Sequence, residues 1–170
     1  MRIVIAGCAV GLVVLAVGAG AGIEHTILHG VEVGKVHVWV GPDELPGASQ
    51  EQLQTSTQSQ LREAGIEIRP GAPATLFVNV VVQTWPHPDL ASGPVSSDPR
   101  AFCFANIESS LVEDALLERN GLRVGAQSWR TGASIAGYST DECVQHIPEG
   151  VERTVSDFIE MYSAMNPTAD

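Results

Sequence analysis

The sequence predicts an α+β fold: a mostly antiparallel β-sheet including one long β-hairpin, with two helices on one face. Three observations carry this expectation. β-Branched residues alternate with other types in Lys35–Val40 and Thr75–Trp85, which is the period of half-buried strands. Asn120-Gly121, a preferred pair for a two-residue type I′ turn, lies between two extended arms within Ala101–Tyr138. Apolar residues fall at helical spacing after Ser49 and again before Asn166.

At 170 residues the chain suits one domain with a substantial core. Its hydrophobic fraction of 44% is concentrated at the start, because Ile3–Ile23 contains no charged residue. Met1-Arg2 supplies a positive lead and Ala19-Gly20-Ala21 a small-residue cleavage pattern, so residues 1–21 read as a secretory signal peptide. Two alternatives stand beside it. The run is also long enough for an uncleaved membrane anchor. Ile5-Ala6-Gly7-Cys8 resembles a lipobox, although too little apolar sequence precedes Cys8. Residues 22–34 then form a lead-in, 35–166 a single α+β domain and 167–170 a tail.

The net charge of −11 becomes −12 once Arg2 leaves with the signal. Such an acidic surface repels nucleic acid phosphates and anionic lipid, so neither is an expected partner. Membrane association is expected only if the N-terminal segment stays uncleaved. Cleavage also leaves two cysteines, Cys103 and Cys143. In an exported chain such a pair reads as one disulfide, closing a loop worth roughly 3–4 kcal/mol. The alternative is two buried free thiols acting as small hydrophobes.

In chain order, Val36, Val38 and Val40 alternate with His37 and Trp39, and Gly41-Pro42-Asp43 ends the strand. Ser49 and Gln52 make a capping box for a helix whose Leu53, Thr57, Leu61 and Ala64 share one face. Gly65 sits where a helix-terminating glycine belongs, and Ile66–Arg69 reads as a short strand. In the next strand Leu76, Val78, Val80 and Val82 line one face. Pro86–Arg100 then runs about 15 residues without any pattern, long for a compact-domain loop and so a candidate contact region.

With Asn120-Gly121 as a two-residue turn, Cys103 faces Tyr138, Ile107 faces Ser134 and Leu111 faces Arg130. The small, apolar face of Cys103, Ala105, Ile107 and Leu111, with Ser134 and Ala136 opposite, is the expected core face. Phe102, Phe104 and Ile135 fall on the other face, expected to meet solvent. Arms of about 17 residues exceed the usual strand, so a bulge or break is expected, with Gly125 and Gly132 as candidates. Ser139–Glu149 reads as a polar loop. Val151, Val155, Phe158, Ile159 and Tyr162 then mark a helix from about Pro148 to Met165, ended by Asn166-Pro167.

Leu61-Arg62-Glu63-Ala64-Gly65-Ile66 leading into Leu76–Val82, followed by Thr154–Pro167, resembles small exported bacterial proteins of unassigned function. The resemblance implies an exported domain and brings no activity with it.

No catalytic signature occurs: no G-x-S-x-G, H-E-x-x-H, P-loop or dinucleotide fingerprint. The expectation is therefore a non-enzymatic protein without cofactor. His25 and His29 share helical spacing but lack a third metal ligand, while His37 and His87 read as exposed residues. Asp141, Glu142, Cys143 and His146 are the densest reactive cluster. They define the alternative of a small-molecule or metal-binding exported protein, or less well a Cys–His nucleophile pair. The leading expectation is an envelope protein partner, bound through Leu116, Leu117, Leu122 and Val124 near the hairpin tip, with Trp85 and the loop after it as further contacts.

Overall fold

The computed structural model describes residues 28–41, 49–85, 102–137 and 139–167; the expected signal segment and the Pro86–Arg100 loop lie outside these. The two valine-rich stretches form β1 (Val33–Gly41) and β2 (Ala74–Trp85). They pair in parallel, which requires a crossover, and α1 (Gln50–Glu63) lies in that connection. The long hairpin supplies β3 (Phe102–Leu117) and β4 (Leu122–Gly137), each antiparallel to the strand before it. The sheet order is β1-β2-β3-β4. α1 packs on β1, α2 (Thr140–Met165) packs on β3 and β4, and the helices touch each other. The fold is α+β, with a mostly antiparallel sheet and both helices on one face.

Alternation decides which face is covered. Val36 and Val38, Leu76, Val78 and Val80, Ala105, Ile107 and Leu111 are all buried beneath the helices. From α2, Cys143, Ile147, Val151, Val155 and Phe158 complete the core. Phe158 is fully buried, a burial worth about 1.5–3 kcal/mol, and meets Trp129 edge-on at a centroid distance of 5.1 Å. Ser49 caps α1 by accepting from the Gln52 N–H at 3.1 Å, and Gly65 follows at φ 78°, as the sequence implied.

Three local expectations need correction. Ile66–Arg69 is not a strand; it runs beside the start of β1, where the Arg69 N–H donates to the Val33 carbonyl at 2.9 Å. Ser139–Glu149 is not a loop but the first part of α2. Ser139 caps it, accepting from the Glu142 N–H at 3.1 Å, and Val144 and Ile147 carry the buried face back from Val151. Pro148 lies inside the helix with its ring on the exposed side, and its missing N–H removes the usual helical donor to the Val144 carbonyl.

The third correction is the hairpin register. The connection has four residues, Glu118–Gly121, between paired Leu117 and Leu122. The N–H groups of Asn120 and Gly121 both donate to the Leu117 carbonyl, and Gly121 takes φ 68°. Farther along, Leu111 pairs Trp129 while Val112 pairs Gln127, leaving Ser128 as the extra residue of a β-bulge. The bulge sits at neither Gly125 nor Gly132. Beyond it Cys103 pairs Gly137 and Ile107 pairs Ala133, so Ala133 and Ile135 face the core and Ser134 and Ala136 do not.

The described part of the lead-in, from Leu28 on, packs onto this domain. Leu28 and Val31 are buried, and Asn166 past the end of α2 ties them in. Its side chain donates to the Leu28 carbonyl at 2.8 Å and accepts from the Gly30 N–H at 2.7 Å. The Tyr162 hydroxyl donates to the Val31 carbonyl at 3.1 Å.

Candidate interaction surface

The hairpin is longer than the sheet it belongs to. β2 begins at Ala74, which pairs Glu113, so Asp114–Leu117 and Leu122–Gly125 form a ribbon of two strands only. At about 3.4 Å per residue the ribbon reaches roughly 14 Å past β2 before the turn. α2 does not follow it, because the helix ends at Met165 beside Leu28 and Val31.

The ribbon's leucines are therefore left outside. Leu116 is 64% exposed, Leu122 58% and Leu117 43%, whereas Val124 is half-buried. Pairing sorts them by face. Leu117 opposes Leu122 and Ala115 opposes Val124 on the helix side, while Leu116 opposes Arg123 on the other side. The tip thus presents three leucines around two faces, with Arg119 and Glu118 exposed in the turn.

Trp85 is 49% exposed, but it does not join this cluster. It pairs Phe102 at the far end of β3, and fifteen residues of strand, roughly 50 Å, separate it from Leu117. It belongs with Trp39 to the sheet face that no described helix covers, together with half-buried Phe77, Val81 and Phe104. His37 stacks edge-on against Phe77 there at 5.6 Å.

The reactive cluster on α2 has a different role. Cys143 is disulfide-bonded to Cys103, with Cα atoms 6.0 Å apart, so it has no thiolate to act as nucleophile or ligand. The bond joins β3 to the first turn of α2 through the core. His146 lies 3.4 Å from Glu149 instead, on the helix surface. Among the described residues no three His, Cys, Asp or Glu side chains converge as metal ligands. His29 is exposed, with its ring nitrogen 2.9 Å from the Met165 carbonyl, and His25 and His87 lie outside the described residues.

One surface was missed by reading the sequence for reactive types: the outer edge of β4. Arg119, Arg123 and Arg130 fall in a stretch, residues 119–140, that contains no acid at all in a chain of net charge −11. That imbalance was readable; that the stretch forms the edge of the sheet was not.

No protein-family model matches the chain, and no curated protein is similar to it. Among solved structures, PelC from Paraburkholderia phytofirmans, described as a dodecamer, is 14% identical with a TM-score of 0.43, covering 86% of this chain and 94% of its own. A minor lipoprotein from Acinetobacter baumannii is 12% identical (TM-score 0.30, covering 78% and 92%). The rare lipoprotein B from Shewanella oneidensis is 8% identical (TM-score 0.30, covering 77% and 92%). At such scores no binding property or activity is carried over from them.

Proposed function

We propose that this chain is an exported, non-enzymatic domain that binds a protein partner in the bacterial envelope through the tip of its hairpin. The observation that carries this reading is the exposure of Leu116, Leu117 and Leu122 on a ribbon standing clear of the sheet and both helices. Leucines in that position contribute nothing to the core, and clustered exposed apolar side chains mark contact sites. The signal-like N-terminal sequence supports export, and the Cys103–Cys143 bond is of the kind that persists outside the reducing cytosol.

The test is cross-linking in intact cells from a photoreactive residue placed at Asn120. A discrete adduct is expected, lost when Leu117→Asp and Leu122→Asp are introduced. An adduct pattern unchanged by both substitutions sinks the proposal.

A further inference from the structure

We propose a second binding site, distinct from the tip's leucines though it reaches the ribbon at Arg123: the outer edge of β4, which takes an extended peptide strand carrying acidic residues on one face. β4 ends the sheet order, and no other described element pairs with its outer side. It is 16 residues long, with no proline and no acidic residue. A long sheet edge is a ready template for an added strand unless something blunts it. Here the only such devices are the bulge at Ser128 and two arginines.

Those arginines define the occupant. Arg123 pairs Leu116 and Arg130 pairs Ser110, which places both guanidinium groups on the sheet face away from the helices. Arg130 has one distant carboxylate, Glu108 at 4.0 Å, and Arg123 has no ion pair among the described residues. A strand added to β4 would set alternate side chains beside them at cross-strand distance, where opposite charges attract and like charges repel. Its other face would meet a shallow groove of about 60 Å³ between β4 and α2. Ala133, Ser134 and Ile135 line this groove from β4, and His146, Glu149, Gly150 and Arg153 from α2. Gly150 keeps α2 close to the sheet, since a Cβ there would fall 2.4 Å from Ile107 Cδ1. The groove accepts small apolar side chains. The matching segment therefore alternates acidic with small apolar residues. A second copy of this chain fits less well, because pairing β4 with itself sets one cationic strip against another.

The test uses the full disulfide-bonded chain and two fluorescein-labelled peptides of about ten residues, one alternating Glu and Val, the other Lys and Val. Saturable anisotropy is expected for the Glu peptide, with slowed amide exchange confined to β4. Arg123→Glu with Arg130→Glu should weaken it about tenfold, as should replacing Glu by Lys in the peptide. The milder Arg123→Gln with Arg130→Gln serves if the reversed variant fails to fold. Leu117→Asp should leave this binding intact, which separates it from the tip. Equal affinity for both peptides, absence of saturable Glu-peptide binding, or protection elsewhere would overturn the proposal. So would a dimer whose β4 amides are already protected, which would assign the edge to a second copy.

Discussion

Ser109 donates a hydrogen bond to Thr154 at 2.8 Å in the closed interior between β3 and α2. Thr154 in turn donates to the Val151 carbonyl at 3.0 Å, so neither buried hydroxyl is left without a partner. The pair adds a directional contact between α2 and β3 amid the apolar packing of Ile107, Leu111, Val151 and Val155.

Removing Thr154 alone should cost more than removing both members. Thr154→Val strands the Ser109 hydroxyl and should lower unfolding free energy by about 1–3 kcal/mol. Adding Ser109→Ala should recover much of that loss. Urea denaturation of the two single variants and the double measures it, and purely additive losses would contradict the coupling.

Replacing Cys103 and Cys143 together by alanine should cost about 3–4 kcal/mol, because the bond closes a loop over a sequence separation of 40. Intact mass with alkylation, before and after reduction, reports whether both thiols are blocked in exported material. Two freely alkylated cysteines there would contradict the bond.

The same length of chain behaves differently at the tip. Leu117→Asp and Leu122→Asp lie beyond β2 and outside the core, so each should change stability by no more than about 0.5 kcal/mol. A larger loss in urea would mean that the leucines serve folding, and would remove the reason for assigning them to a partner.

Gly150 should tolerate little. A side chain there meets Ile107 and Ile135, both buried against it, and Gly150→Val should destabilise by about 1–3 kcal/mol. Pairing it with Ile107→Ala, which empties the space, should restore part of the loss relative to Ile107→Ala alone.

Much of the fold was legible because burial imposes a period. Val36, Val38, Leu76, Val78 and Val80 alternate, and each lies in the core. The disulfide was legible from compartment logic and the residues' placement. A bulge was expected from the length of the arms, but its position was not legible, since Ser128 is chemically ordinary and its place reflects how two strands twist past one another. That single residue moved Ile135 to the core face and Ser134 off it. The first half of α2 was hidden by Pro148, although Ser139 and Glu142 spelled a helix start and Val144 and Ile147 continued the apolar face. At the tip the leucines were visible in sequence, but their exposure depends on where β2 begins, a fact held by residues forty positions away.

Because Cys103 and Cys143 stand at the base of the hairpin, both arms and the turn lie inside one covalent ring. A cut by trypsin after exposed Arg119 would therefore not divide the molecule. The two fragments, one ending at Arg119 and the other starting at Asn120, would travel as a single band until reductant separates them. A protease can nick this projection and still leave the body that carries it whole, with β3 and β4 held to the same core.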